Sequence, residues 1–279
     1  MAIKDILVHV GCSARQCCVD VAASLATQNG AHLVGLHVST QPDIPPYIEA
    51  QLGAEVVAAQ ARNAEELQVK CKTAFDQAVD ASGLSAEWRM LEGDWVDTIQ
   101  MVGRSADLVI VGQTDPNGPG VVGGEDVAGR LALTLGRPVL AVPYAGSFGA
   151  IGKRVMVAWD GSRAAARALG DALPLMHEAE MVNVLSVNPD TSAHGHGHAP
   201  ATGADIVTHL ARHGITAEAQ HLQVHDIEIG AMMLSRASDF GADMFVMGAY
   251  GHARWRELVM GGVTRHMLEH MTIPVLMAH

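Results

Sequence analysis

Near the C-terminal end of the chain, an apolar segment ending at Met247 is followed by a helical pattern that begins near Val263. Four glycines lie in or beside this stretch: Gly248, Gly251, Gly261 and Gly262. Glycine allows positive φ angles and lets a ligand touch the backbone. The free N–H groups and the dipole at a helix start favour anions. The segment therefore predicts a phosphate-binding crevice, to which Arg254 or Arg265 can add positive charge.

A purely structural interpretation exists for the same residues. Glycines also serve tight turns and helix ends, and an acidic residue before Gly-Ser, such as Asp160, is typical of a helix N-terminus. The position of the glycines, at a strand end beside a helix start, favours ligand binding over turns alone. For Asp160, helix capping and ligand contact are compatible, so both stay open.

These residues belong to the second of two related halves. Two segments of the first half align with the second: Lys4–Ser13 with Lys153–Ser162, and Ser105–Thr114 with Gly241–Tyr250. Both halves close on a Pro-Val-Leu segment, which places Pro138 on Pro274. The repeat predicts two domains, residues 1–144 and 153–279, joined by a linker of mainly small residues at 145–152.

Short apolar segments alternate with longer helical patterns in each half. In the second half the predicted strands are Arg154–Ala158, Met181–Val187, Ala217–Leu222, Asp243–Met247 and Pro274–Met277. The predicted helices lie around residues 164–177, 204–213, 228–240 and 263–269, and the first half has a longer second helix, around 48–82. Such a pattern is typical of a parallel sheet covered on both faces, whose ligands bind beyond the C-terminal strand ends, here after Ala158, Val187 and Met247.

The composition limits the classes of protein to which the chain can belong. The chain has 279 residues, of which 49% are hydrophobic and 17% charged, and its formal net charge is −12. We therefore expect a large core and no nonspecific binding to nucleic acid or anionic membranes. Four cysteines without a CxxC pair, no signal peptide before Ile3 and no membrane-spanning segment favour a soluble cytoplasmic protein.

Taken together, these motifs resemble the universal stress protein family. The spacing of Gly248, Gly251 and Gly261 is similar to that family's nucleotide-binding motif, as are the Ala-Trp-Asp-Gly-Ser segment and the Ile-Pro-Val-Leu ending. The resemblance covers nearly all of both halves. It implies an α/β fold of two tandem open parallel five-stranded sheets, of order 3-2-1-4-5, with helices on both faces, like adenine-nucleotide α-hydrolases. Many family members bind ATP in this crevice, others do not, and no common reaction is established for them.

The resemblance also implies which residues hold the ligand, ATP alone or with Mg²⁺. Asp160, preceded by Ala158 and Trp159, would contact the adenosine, and the backbone of Val187 would receive the adenine. The ribose and phosphates would meet Met247, Gly248 and Gly251, and the phosphates the amides of Gly261, Gly262 and Val263. Where Gly262 stands the family commonly has Ser or Thr, so a hydroxyl donor worth about 0.5–1.5 kcal/mol is missing. Thr264 is a candidate substitute.

The first half departs from this pattern. Asp115, Glu125 and Asp126 stand where the second half has Gly251, Gly261 and Gly262, and Gly11 stands where it has Asp160. Two like charges about 4 Å apart repel by roughly 4 kcal/mol at an effective dielectric constant of 20. We therefore expect the first half to have lost nucleotide binding. A register shift at Gly123 and Gly124, or a bridging divalent cation, is the alternative.

Other candidate sites have weaker support. The alternating histidines of His194–His198 suit Zn²⁺ or Ni²⁺, but a solvated loop is favoured. Cys17 and Cys18 are expected to be core thiols, with redox sensing as the alternative. No GxSxG, P-loop, HExxH or SGGxDS pattern is present, so we expect no catalytic residue and at most slow ATP hydrolysis.

Three functions remain in competition. The first is a stress-response protein whose C-terminal domain binds an adenine nucleotide that gates contacts with other, unknown proteins. The second is an interaction protein that binds no nucleotide. The third is an enzyme that uses the crevice for a phosphorylated substrate. We expect the two halves to form an intramolecular pseudo-dimer, with a homodimer of chains also open, and family analogy suggests association through the last strand of each half.

Overall fold

A computed structural model describes residues 2–11, 16–39, 54–114, 127–187, 202–223, 228–250 and 262–279. The elements of the first half are β1 (Asp5–His9), α1 (Gln16–Asn29), β2 (His32–Ser39), α2 (Ala54–Ser82), β3 (Ala86–Glu92), α3 (Trp95–Gly103), β4 (Leu108–Gly112), α4 (Val127–Thr134) and β5 (Val139–Val142).

Strands and helices alternate in the second half as well. Its elements are β6 (Arg154–Ala158), α5 (Arg163–Ala172), a 3-10 helix (Leu173–Met176), β7 (Met181–Val187), α6 (Gly203–Arg212), β8 (Ala217–Leu222), α7 (Ile229–Phe240), β9 (Met244–Gly248), α8 (Gly262–His270) and β10 (Val275–Ala278). No helix within these described ranges is both long enough and apolar enough to cross a membrane.

The helix predicted around 164–177 is divided in two. Regular α-helix ends at Ala172 and a 3-10 turn continues to Met176, with Pro174 near its start. Proline lacks the N–H that an α-helix needs and its ring collides with the preceding turn, which explains the change. In the first half, α2 begins at Ala54, and residues 48–53 of the predicted helix lie outside the described residues.

The strands form one continuous sheet. Its order is β3-β2-β1-β4-β5-β10-β9-β6-β7-β8, so each half has the predicted order 3-2-1-4-5. Neighbouring strands are parallel within each half, and the halves join where β5 pairs antiparallel with β10, with Leu140 opposite Leu276. The two predicted sheets are therefore both present, and they are joined by the buried pairing of their last strands, as family analogy suggests.

Helices cover both faces of this sheet. Helices α1, α2, α5 and α6 pack on one apolar core, and α3, α4, α7 and α8 pack on the other. Alternate residues of a strand point to opposite cores: Val155 and Val157 belong to the first and Met156 to the second. Cys17 and Cys18 are buried free thiols in the first core, as predicted.

An aspartate repeated in both halves fixes the start of each sheet. The Asp107 carboxylate accepts the backbone N–H groups of Lys4 at 2.8 Å and Asp5 at 3.2 Å. At the equivalent position, Asp243 accepts the N–H groups of three consecutive residues, Gly152 to Arg154, at 2.7, 3.0 and 3.0 Å. The linker is thereby tied to the strand that carries the predicted site.

We expect Asp243→Ala to lower the free energy of unfolding by about 3 kcal/mol, because three half-buried N–H groups lose a charged acceptor. Urea denaturation measures the loss. The control is Asp239→Ala, since Asp239 is exposed and its 3.4 Å pair with Arg236 contributes little. Equal effects of the two substitutions would contradict this role of Asp243.

Candidate functional site

The predicted site residues of the second half lie along one edge of the sheet. Strand β6 lies between β7 and β9, and the chain order changes direction there. Beyond the end of β6, the Trp159 N–H donates to the Leu185 carbonyl at 2.8 Å, and within the sheet Val157 pairs with Val246 of β9. Because all three strands are parallel, their C-terminal ends form the crevice in which such folds bind ligands.

Helix α5 begins directly above this edge. Its N-cap is Ser162, whose side chain accepts the Ala165 N–H at 3.1 Å. The exposed Asp160 carboxylate accepts the Ser162 N–H at 2.9 Å, and Gly161 between them has a φ of 74°. Asp160 therefore supports the cap without being the N-cap residue, and its exposed position is compatible with ligand contact.

Gly248 is needed because α5 lies against the end of β9. A Cβ there would lie 2.5 Å from the backbone N of Ala165 and 2.6 Å from the carbonyl C of Ala164. The sequence predicts that glycine here allows a positive φ. Among the described residues of this loop the positive φ, 57°, belongs instead to Tyr250. The glycine therefore permits close packing of a strand end on a helix start.

Helix α8 starts beside the same strand end. The Tyr250 N–H donates to the Thr264 hydroxyl at 3.3 Å, which joins the residues after β9 to the first turn of α8. Gly262, the first residue of that helix, is exposed, and a Cβ there would meet no atom of the described residues within 4 Å. Two helix starts, those of α5 and α8, therefore converge on one strand end, and their N–H groups give it an anion-attracting character.

Several predicted side chains are not available to a ligand. Trp159 and Met247 are 8% and 4% exposed and belong to the two cores, so they offer only backbone at the crevice. Thr264 is 3% exposed and already bonded to Tyr250. Arg265 donates to Glu269 at 2.7 Å, which directs its guanidinium towards the C-terminal end of α8. Among these described residues, the crevice therefore offers backbone N–H groups rather than side-chain donors.

The structure brings most of the predicted site residues to this edge. They are Ala158, Trp159, Asp160, Val187, Met247, Gly248, Gly262 and Val263. Gly251, Gly261 and Arg254 lie outside the described residues, as do the His194–His198 loop and the acidic residues Asp115, Glu125 and Asp126. Within the described part of the chain, no three His, Cys, Asp or Glu side chains are grouped to hold a metal ion.

The corresponding strand end of the first half carries a buried histidine. His9 stands where the second half has Ala158, and its ring lies 5.9 Å from that of Trp95. A Cβ on Gly11, which aligns with Asp160, would lie 3.1 Å from His9 Cε1. Burial, with a smaller contribution from nearby His37, lowers the pKa of His9 to about 4. His9 is therefore a neutral, buried imidazole at the end of β1.

Sequence reasoning missed two residues of the first half. His9 and Gln113 are both buried polar side chains, and they align with Ala158 and Ala249 of the second half. The alignment of the two halves already contained the signal. In each case a large polar residue of the first half aligns with an alanine of the second, at or just after the end of an otherwise apolar strand. It marks positions where the two crevices differ.

Comparisons with known proteins agree with this architecture. The model of the universal stress protein family matches twice, over residues 2–143 and 152–279. Universal stress protein Slr1230 of Synechocystis sp. (strain ATCC 27184 / PCC 6803 / Kazusa) is 31% identical over 151 residues. That match covers 53% of this chain and 48% of the relative, so the chain spans about half of the relative's length.

Solved structures were compared with the whole chain and with one half of it. The crystal structure of a universal stress protein from Archaeoglobus fulgidus DSM 4304 superposes with a TM-score of 0.72 at 15% identity, covering 98% of this chain and 95% of that chain. A universal stress protein in complex with cAMP matches 52% of this chain and 100% of that chain, at 23% identity and a TM-score of 0.34. The first likeness concerns the fold alone, and cAMP is a ligand of the second protein.

We expect Gly248→Ala to lower the free energy of unfolding by about 2–3 kcal/mol, because the added methyl group collides with backbone atoms that cannot rotate away. Gly262→Ala, in open space, should change it by less than about 0.5 kcal/mol. Denaturant unfolding of the two variants compares them directly. A well-tolerated alanine at Gly248 would show that α5 does not press on β9.

The buried His9 predicts a pH dependence of stability. An unfolded histidine titrates near pH 6.5, whereas folded His9 has a pKa of about 4. Between these values the unfolded chain binds a proton that the folded chain excludes, so stability falls as the pH drops through 6.5. From pH 7 to 5 this group should remove about 2 kcal/mol from the free energy of unfolding.

The measurement is urea denaturation of wild type and His9→Leu at both pH values. His9→Leu should lose about 2 kcal/mol less on acidification than wild type does. His177→Leu, at an exposed histidine, is the control and should retain the wild-type dependence. An unchanged dependence in His9→Leu would mean that His9 takes up its proton at the same pH in the folded and the unfolded chain, which would contradict the lowered pKa.

Proposed function

The chain belongs to the universal stress protein family in both of its halves, and on that premise we propose that its C-terminal half binds ATP or a related adenine nucleotide. The bound nucleotide would gate contacts with other proteins in a stress response. The proposal takes residues 1–144 and 153–279 as the two domains and the cytoplasm as the location. It assigns no chemical step to the protein, and any ATP hydrolysis would be slow.

One observation carries the proposal: two helix starts and three strand ends converge where the chain leaves β9. The Gly248 backbone touches the first turn of α5, and the Tyr250 N–H bonds to Thr264 in the first turn of α8. The first N–H groups of a helix have no partner within the helix. Main-chain donors at such a place bind phosphate without any cationic side chain.

The nucleotide would lie across this edge with its two ends in different surroundings. The phosphates would be bound by the amides of Gly261, Gly262 and Val263, beside Gly248 and Gly251. The adenosine would lie towards the ends of β6 and β7, against Asp160 and the backbone of Val187. Ala158, Trp159 and Met247 would complete the strand-end backbone under the ligand. Mg²⁺, when present, would neutralise phosphate charge.

A second candidate function is an interaction protein that binds no nucleotide. A specific observation favours it: the packing of β9 on α5 fully accounts for Gly248, and Thr264 serves the loop after β9. Gly262 separates the two functions, because among the described residues no atom lies within 4 Å of a Cβ placed there. Packing against the described residues therefore does not account for this glycine, whereas a phosphate lying close to the backbone would.

The test uses two variants at Gly262. Gly262→Asp introduces the residue that the first half has at the aligned position, and Gly262→Asn has the same shape without the charge. We expect both variants to fold, since no atom of the described residues lies within 4 Å of the added Cβ, and an acidic residue at a helix start favours the helix. Circular dichroism of both variants separates weaker binding from unfolding.

We expect wild type to release ATP on denaturation, detected by mass spectrometry, and to bind added ATP in a calorimetric titration. Gly262→Asp should weaken binding at least about tenfold, since two like charges near 4 Å repel by roughly 4 kcal/mol. Gly262→Asn should stay within about threefold of wild type. If wild type binds no ATP, the interaction protein is supported. If wild type and both variants bind ATP with equal affinity, the phosphates do not lie at the start of α8.

A further inference from the structure

A side chain of the first half reaches the helix that carries the proposed phosphate site. Gln113 follows β4 directly and is 7% exposed. Its N–H donates to the Val142 carbonyl at 2.7 Å, which fixes its backbone at the end of β5. The aligned residue of the second half is Ala249, whose N–H donates in the same way to the Ala278 carbonyl at 2.9 Å. The backbone is thus repeated, and only the first half has a side chain that reaches across.

The Gln113 amide nitrogen and oxygen are both hydrogen-bonded, the nitrogen to the second half and the oxygen to the end of the first. Its Nε2 donates to the Leu268 carbonyl at 2.7 Å and to the Glu269 carbonyl at 3.2 Å. Its Oε1 accepts the Tyr144 N–H at 3.1 Å. These partners fix the orientation of the amide, because nitrogen must face the two carbonyls and oxygen must face the N–H. The side chain therefore connects the end of β5 with the end of α8.

The two carbonyls that Gln113 reaches are ones that a helix cannot satisfy itself. Helix α8 ends at His270, so Leu268 and Glu269 lie in its last turn. The last four carbonyls of a helix have no partner within the helix, and a buried carbonyl without a donor is destabilising. Leu268 is 6% exposed, so solvent does not replace the amide there. Gln113 thus acts as a C-terminal cap supplied by the other half.

Capping one end of α8 positions the other end. The helix has nine residues, which corresponds to about 13 Å at 1.5 Å per residue. A helix this short moves as one body, so a shift at Leu268 reaches Gly262. The second half holds α8 from the side: His266 Nδ1 lies 3.0 Å from Glu228 Oε1, and Gly230 leaves room for its ring. The first half holds it at the end.

We propose that Gln113 is a positioning residue for the nucleotide site of the C-terminal half. The N-terminal half thereby contributes to the affinity of a site to which it contributes no ligand contact. Because coupling between two equilibria is reciprocal, a nucleotide bound at the start of α8 strengthens the contact between the halves by the same factor. The inference rests on the proposed nucleotide binding.

The test replaces Gln113 by methionine, which is of similar length and forms neither hydrogen bond. In calorimetric titration with ATP and Mg²⁺, Gln113→Met should bind about three- to tenfold more weakly than wild type, as expected for lost hydrogen bonds. In the nucleotide-free protein, amide hydrogen exchange should accelerate in residues 266–270 and stay unchanged in α7. The exchange measurement reports the position of α8 without any ligand.

Two further variants serve as a control and as a second test. Thr98→Val removes a buried hydroxyl from the first half, in α3, and should leave both ATP affinity and exchange in α8 at wild-type values. Gln113→Glu has the size of glutamine but places a carboxylate against two carbonyls, so it should weaken binding at least as much as methionine does. Circular dichroism checks that each variant is folded. If Gln113→Met does not fold, Gln113→Glu is used to test the positioning role.

The outcomes separate this inference from the proposed function. Wild type that binds ATP, together with a Gln113→Met variant that matches it in affinity and exchange, would overturn the positioning role and leave the nucleotide site standing. Equal losses in Gln113→Met and Thr98→Val would reduce the effect to general destabilisation and also overturn it. Wild type that binds no ATP would overturn both the site and the role of Gln113 in it.

Discussion

The end of β9 lies so close to the first turn of α5 that no side chain fits between them. A Cβ at Gly248 would approach two backbone atoms of α5 to 2.5 and 2.6 Å, distances that real structures do not contain. This contact sets where α5 begins and how the chain leaves β9. The Tyr250 N–H then meets Thr264 and brings the start of α8 to the same place. The anion-attracting character of the crevice follows from this arrangement of the main chain.

The two halves share a backbone and differ at the edges where ligands of such folds bind. Asp107 and Asp243 fix the first strand of each half in the same way, and the halves meet through β5 and β10. At the crevice, however, the first half has His9 in place of Ala158 and Gln113 in place of Ala249. One of these side chains is buried at the end of β1 and the other caps α8. Both changes suit a half that supports its neighbour.

Much of this fold could be read from the sequence because its signals are local and occur twice. The bounds of β6, β7 and β8 agree with prediction, since apolar segments flanked by helical patterns leave few alternatives. The end of α5 at Ala172, just before Pro174, was missed because the apolar pattern continues through the 3-10 turn. The reason for Gly248 was also missed, because a close contact between a strand and a helix depends on packing that no sequence pattern records. The pairing of Arg265 with Glu269 was missed for a similar reason, since the sequence does not show which way a charged side chain points.

The central claim is that main-chain donors at the start of α8 bind the phosphates of an adenine nucleotide. The most direct measurement is the electron density of crystals grown with excess ATP and Mg²⁺. The account predicts density for the phosphates at the C-terminal crevice, with an oxygen about 2.7–3.2 Å from the Gly262 amide nitrogen. Density only at the crevice of the first half, or at neither, would contradict it.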